Sequence, residues 1–380
     1  MDNLQNPILV IDETLREGMQ FQGLVFSLSQ RKQILEFQDA LGVDICQAGY
    51  PPAHAWEAEQ VRALCDHTQC KGFSTRIAGM GRAFSRDVSA LLSTGIRDFH
   101  LHSHIRQDAS SGEEDRIFGD MAETLADLRA KNPLAVISLA MLDIGRTTQE
   151  KLQEHAKRAI RDLKVDILSL PDTSGVLAPN RLFDLIRPIA AAASSYETRI
   201  SVHCHNDMGM ASANTVMGVC AGARVMEASV LGIGERNGLA DLFTTARILK
   251  DQGFSMRLKT DDIDGFREYY TFVNAIVKEQ TGEDLLTYTT PVFGQAVTTH
   301  VAGTHGSSFF GISKEETYYL NLLCGRHLVK KHLDASGIAY RPDRLSAITE
   351  AVKTLSARMG RRLTLPEINA IATDHSRDLP

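Results

Sequence analysis

Between Ile8 and about Asp251, short β-rich runs alternate eight times with amphipathic helical stretches, and this alternation limits the folds open to the chain more than any other feature. The runs fall at residues 8–12, 44–49, 72–77, 98–103, 135–142, 166–170, 199–203 and 225–231, with helical stretches such as 29–41, 55–67, 115–131, 149–163, 179–193 and 211–222 between them. Strand and helix alternating eight times in about 245 residues is the pattern of a (β/α)8 barrel, an α/β fold; a doubly wound open sheet is the alternative.

Past about Phe254 the alternation stops. Helical stretches at 262–280, 314–333, 344–358 and 365–374 then surround a Gly- and His-rich loop, Thr299-His300-Val301-Ala302-Gly303-Thr304-His305-Gly306. The expected organisation is a catalytic barrel over residues 1–253 followed by a helical C-terminal appendage over 254–380.

Composition removes several classes of function. A chain of 380 residues with 43% hydrophobic content can bury a large core. Its formal charge of -6, scattered basic residues and few aromatics offer neither the basic block nor the stacking platform that nucleic acid requires. The six cysteines lack paired CxxC spacing, which points to reduced thiols. The N-terminus has no basic or extended apolar signal, and no run of ~18 apolar residues occurs, so a cytoplasmic location is expected and a membrane partner is not.

In a barrel of this kind the chemistry sits at the carboxyl ends of the strands. There the sequence places His203-Cys204-His205-Asn206-Asp207 after strand seven, with two imidazoles at i and i+2. Side chains two apart on a strand share a face, so the pair makes a half-site for a divalent metal of borderline character. The best third ligand is Glu17, in the cluster Asp12 to Gln20 that follows strand one. Two imidazoles and a carboxylate leave coordination positions open for substrate or water and admit zinc, manganese, magnesium or cobalt. Other polar residues fall where the same rule demands them: Arg16 after strand one, Arg76 ending strand three, His102 and His104 ending strand four, Asp172-Thr173 after strand six, and Gly232-Ile233-Gly234-Glu235-Arg236-Asn237-Gly238 after strand eight.

Three of these segments resemble a known family. Thr14-Leu15-Arg16-Glu17-Gly18-Met19-Gln20, His203 to Asp207 and Gly232 to Gly238 are similar, in order, to the motifs of homocitrate synthases and 2-isopropylmalate synthases, the metal-dependent TIM-barrel Claisen condensing enzymes related to HMG-CoA lyase. The resemblance implies an acyltransferase that joins acetyl-CoA to a 2-oxo acid chelated by the metal of Glu17, His203 and His205. By the same resemblance Arg16 stabilises the developing oxyanion, Gln20 lines the pocket, Thr173 binds the substrate carboxylate, and His305 assists proton removal from the acetyl methyl group with Tyr318 nearby. Glu235, in the third motif, joins Arg16, His305 and Tyr318 among the catalytic candidates. The appendage is expected to act as a lid and to supply dimer contacts, which implies a homodimer with His305 acting in trans.

The departures concern the substrate. The run Val136-Ile137-Ser138-Leu139-Ala140-Met141-Leu142-Asp143 lacks the Arg and acidic residues that homocitrate synthases carry on strand five, and Ser201 stands where they place a Glu before the first His. A 2-oxo acid other than 2-oxoglutarate is therefore expected, with Arg76, His102, His104 and Arg106 as cations for a second acidic group, carboxylate or phosphonate. Two other readings stay open. One is lyase-like carbon–carbon cleavage, although the loop from Gly232 to Gly238 has no Cys; the other is a non-catalytic metal-binding barrel.

Overall fold

The computed structural model describes residues 7–103, 105, 109–300 and 317–375, with His300, Thr317 and Tyr318 described by their backbone. Its chain divides into two compact units, Met1–Leu285 and Leu286–Pro380.

The first unit is a closed barrel of eight parallel strands in sequential order. They are β1 (Leu9–Asp12), β2 (Ile45–Gly49), β3 (Arg76–Arg82), β4 (Asp98–His102), β5 (Val136–Ala140), β6 (Ile167–Asp172), β7 (Arg199–Cys204) and β8 (Val225–Ala228). Pairing of Leu9 with Val225 and of Asp12 with Ala228 closes the ring and excludes the open doubly wound sheet. Around it lie α1 (Leu28–Leu41), α2 (Ala55–Lys71), α3 (Ser85–Leu92), α4 (Ser111–Lys131), α5 (Gln149–Arg161), α6 (Pro179–Ala193), α7 (Ala211–Cys220) and α8 (Leu242–Asp251). No described helix is long and apolar enough to cross a membrane.

Local signals set the helix ends. Ser27 accepts from the Gln30 amide while the Gln30 side chain returns to the Ser27 amide, and Gly42, at φ 85°, ends α1 in the left-handed conformation that glycine adopts without strain. Ser110 and Glu113 make the same reciprocal start for α4.

The barrel interior changes character along its axis. Ile11, Ile45, Ala78, Ile167 and Val225 form an apolar cluster inside the sheet. One inward step further along the strands, the side chains are polar: Ser169 and Ser201 stand side by side in register, and Glu227 reaches both. A packed apolar layer thus supports a polar one at the carboxyl ends of the strands, where barrel enzymes carry their chemistry.

Two expectations change. Strand three runs from Arg76 to Arg82 instead of 72–77, so Arg76 opens the strand and does not end it. Glycines at 79 and 81 weaken the β signal of this stretch. They are needed because a Cβ on Gly79 would stand 2.8 Å from Leu91 and 2.9 Å from Ile96. The helix α9 (Ile263–Thr281), assigned above to the appendage, lies in the first compact unit, where Phe37 of α1 stacks on Tyr269 with ring centroids 5.3 Å apart.

The second unit contains α10 (Arg326–Ala335), α11 (Leu345–Met359) and α12 (Leu365–Asp374), packed around Leu328, Leu333, Ile348, Val352 and Ile368. Two short strands, β9 (Thr299–His300) and β10 (Thr317–Tyr318), pair in parallel.

Candidate active site and metal centre

The site is built on the turn after β1. Asp12 is buried at the strand's end, and its Oδ1 accepts from the Thr14 amide at 2.8 Å and from the Thr14 hydroxyl at 2.6 Å. That turn carries Glu13, Arg16 and Glu17 into the barrel mouth. The Arg16 guanidinium donates to Glu13 at 2.8 Å, to Glu17, to the Gln47 carbonyl on β2 and, at 3.1 Å, to Gln20. Burial works against its charge, but Glu13 and Glu17 outweigh burial and raise its pKa.

His203 and His205, from β7 and the residue beyond it, both point into the mouth, and their Nε2 atoms are 3.2 Å apart. Glu17 Oε1 lies 3.9 Å from His205 Nε2. All three residues are buried. Burial raises the Glu17 pKa, yet the charges of Arg16 and His203 outweigh burial and hold it below the usual carboxylate value. Burial, together with the charge of His203, drives His205 down to about 4, so it is a neutral imidazole with a free lone pair at pH 7.

On the far side of His203, Nδ1 meets Glu13 Oε2 at 3.0 Å and Glu227 Oε2 at 3.1 Å. Burial depresses His203, but the two carboxylates reverse the effect and raise it well above the ordinary histidine range. Both carboxylates accept, so Nδ1 carries a proton, and Nε2 is the nitrogen turned toward His205. Glu227 is itself fixed by Ser169 and Ser201, which donate to its Oε1 at 2.7 and 2.6 Å.

Two nitrogens at 3.2 Å need something positive between them, either a shared proton or a cation. The spacing matches the edge of a coordination shell with ligand bonds of ~2.1 Å, and a carboxylate holding the other ring nitrogen is the usual partner of a metal-binding histidine. Glu17, His203 and His205 therefore fit a divalent cation. Glu13, His203 and Glu227 form a second buried group whose atoms are close enough to hold an ion. There, however, Arg16 Nη2 and the His203 Nδ1 proton already neutralise Glu13, and a cation would lie against the guanidinium. The Nε2 side is the better site.

A cavity of about 570 Å³ opens over these residues. Of the residues expected at the site, Arg16, Glu17, Gln20, His102, Thr173, His203, His205 and Glu235 all line it. Thr173 Oγ1 accepts from the Asp143 amide at 2.9 Å. The Glu235 amide donates to Glu17 Oε1 at 3.4 Å, and its carboxylate receives Gln20 at 3.5 Å. His102 Nε2 is 3.3 Å from the Tyr50 hydroxyl.

Arg76 is not among them: at the opening of β3 it pairs with Asp98, the first residue of β4, at 3.2 Å. Its placement at the site followed from ending the strand five residues too early. His104, Arg106 and His305 lie outside the described residues, and Tyr318 falls in β10.

The sequence reading missed Glu13, Gln47, His100 and Glu227. A signal existed for two of them. Glu227 is a charge inside the buried strand Val225-Met226-Glu227-Ala228, and His100 stands two residues before His102 on the same strand face.

A 2-isopropylmalate synthase of Methanosarcina mazei, named as probable, is 29% identical over 386 residues, covering 96% of this chain and 71% of that protein. A 2-phosphonomethylmalate synthase of Streptomyces rubellomurinus is 30% identical over 376 residues, covering 94% of this chain and 95% of the other. Among solved structures, the HMG-CoA lyase of Bacillus subtilis shares the fold with a TM-score of 0.59 at 16% identity, over 76% of this chain and 98% of that one. The HMGL-like family matches residues 7–269, which take in the whole barrel and every residue that lines the cavity. The chain belongs to the HMGL-like family.

Proposed function

We propose that the protein is an acyltransferase that condenses acetyl-CoA with a 2-oxo acid to give CoA and a 2-hydroxy diacid or triacid. The observation that carries this reading is the convergence of His203 Nε2, His205 Nε2 and Glu17 beside Arg16 in one buried cavity. The names of the 2-isopropylmalate and 2-phosphonomethylmalate synthases support it.

A divalent cation held by Glu17, His203 and His205 would polarise the keto carbonyl. Arg16, clamped by Glu13, Glu17 and Gln47, is preorganised to stabilise the alkoxide that develops on that oxygen. Thr173 accepts the Asp143 amide with its oxygen, which leaves its O–H free to donate to the substrate carboxylate. A base takes one methyl proton from acetyl-CoA, and the methyl carbon bonds to C2 of the oxo acid. The C2 oxygen gains a proton; water then cleaves the thioester, and CoA leaves as the thiol. His305, assisted by Tyr318, takes the role of base, delivered in trans by the appendage of a homodimer.

The test is release of free thiol from acetyl-CoA by metal-loaded protein with 2-oxoglutarate, 2-oxoisovalerate, pyruvate, oxaloacetate and phosphonopyruvate. Release with one acid, lost in Glu17→Ala, is expected. Silence across the panel with metal bound would remove the condensation reading and favour cleavage or a non-catalytic role.

A further inference from the structure

His100 is a polar residue of the cavity whose chemistry the reaction above leaves unused. It sits mid-strand in β4, is 5% exposed, and lines the cavity. Its Nδ1 lies 2.7 Å from Gln47 Nε2, while its Nε2 is buried with no hydrogen-bond partner among the described residues.

Which ring nitrogen carries the proton follows from the neighbours. Arg16 Nε can only donate, so the Gln47 atom facing it is the carbonyl oxygen. The other end of the Gln47 amide is therefore the NH2 group, and it must donate to His100 Nδ1. With Nδ1 accepting, the neutral imidazole holds its proton on Nε2. Arg16 thus fixes Gln47, Gln47 fixes the tautomer of His100, and the result is a buried N–H donor with no acceptor among the described residues.

Native proteins pair buried donors almost without exception, so an unpaired one on a cavity wall points to an acceptor on the ligand. The adjacent wall has the same polarity. Ser138, which pairs with His100 in strand register, and His102, two residues on, also line the cavity.

We infer that His100, with Ser138, forms a subsite for an oxyacid group on the side chain of the 2-oxo acid, a carboxylate or a phosphonate. This rests on the condensation reading and names its substrate class. The donor is neutral, so it selects by hydrogen bonding to an oxygen, and an alkyl side chain would leave it buried and unpaired. A site built around a hydrogen bond rejects an analogue that lacks the partner far more strongly than an apolar pocket rejects an extra methylene.

The experiment compares kcat/KM for phosphonopyruvate and oxaloacetate with that for pyruvate and 2-oxoisovalerate, in the wild type, His100→Leu and His100→Gln. Wild type is expected to prefer one of the first pair, and which one it prefers distinguishes phosphonate from carboxylate. His100→Leu should lower kcat/KM for that acid ~10- to 100-fold more than it lowers kcat/KM for pyruvate. His100→Gln, which keeps an N–H donor near the Nε2 position, should recover part of the loss. An equal fall for all four acids, or no fall, would overturn the subsite, provided that melting temperatures show the variants folded.

If the wild type releases no thiol with any acid, the condensation reading falls separately, and the subsite is then read by binding. A rise in melting temperature with phosphonopyruvate or oxaloacetate that is absent in His100→Leu would support it. Equal shifts in both proteins, or none in either, would overturn it.

Discussion

The Tyr269 hydroxyl donates to Asp12 Oδ2 over 2.8 Å, which ties α9 to the turn that delivers Glu13, Arg16 and Glu17. Its neighbour Tyr270 does the same for the other side of the mouth, donating at 2.9 Å to Asp241, the residue that caps α8 just past the loop carrying Glu235. Adjacent residues on one helix thus fix the two segments that meet at Glu17 and the Glu235 amide.

Tyr269→Phe removes one donor from a fully buried carboxylate and leaves the Thr14 contacts in place. Leaving a buried acceptor short of a partner costs about 1–3 kcal/mol. The expected result is a lower urea midpoint with an unchanged slope, together with a several-fold fall in kcat from the loosened turn. Wild-type stability and turnover would show that α9 does not position the site.

Glu227 orients His203 without reaching the proposed cation itself. In Glu227→Gln the carboxylate charge on Nδ1 is lost, while the amide oxygen still accepts from Ser169 and Ser201. Removing such a supporting partner lowers metal affinity ~10- to 100-fold. Competition against a metallochromic chelator measures this, and an affinity equal to wild type would contradict the tautomer argument.

Asp98 makes a pH prediction away from the site. Burial raises its pKa to about 6, with Arg76 and Arg97 only partly offsetting the effect. Between its unfolded value, ~3.9, and 6 the folded state holds a proton that the unfolded chain has released. This group therefore contributes stability fully below pH ~4 and loses it as pH rises through 6, a swing of about 3 kcal/mol. Asp98→Asn should accordingly stabilise the protein relative to wild type more at pH 8 than at pH 5, by thermal melting at both values. A pH-independent difference would place the Asp98 pKa near its ordinary value.

Much of this molecule was legible in the sequence because the signals were local. Eight β-rich runs predicted the barrel, and the His-x-His pair and the cluster after strand one were brought together as expected, since both follow strands and barrel strands deliver their ends to one face. Arg76 was misplaced because Gly79 and Gly81 suppress strand propensity where close packing against Leu91 and Ile96 requires them. Glu13 and Gln47 escaped notice because their roles are pairings between segments, Gln47 to Arg16 across 31 residues for example, and no local period records such contacts. The place of α9 was also hidden, since a helix that closes a barrel and one that opens an appendage share the same 3.6-residue pattern.

If a carbon–carbon bond forms at this site, the acetyl methyl carbon must end up in the product. Metal-loaded protein is incubated with acetyl-CoA labelled with 13C at that methyl and with the 2-oxo acid that gives the most thiol, and the product is read by NMR. The label is expected to move into a methylene beside a quaternary carbinol carbon, and Glu17→Ala or chelation to abolish the signal. Label appearing only as free acetate would mean thioester hydrolysis, and would contradict the assignment.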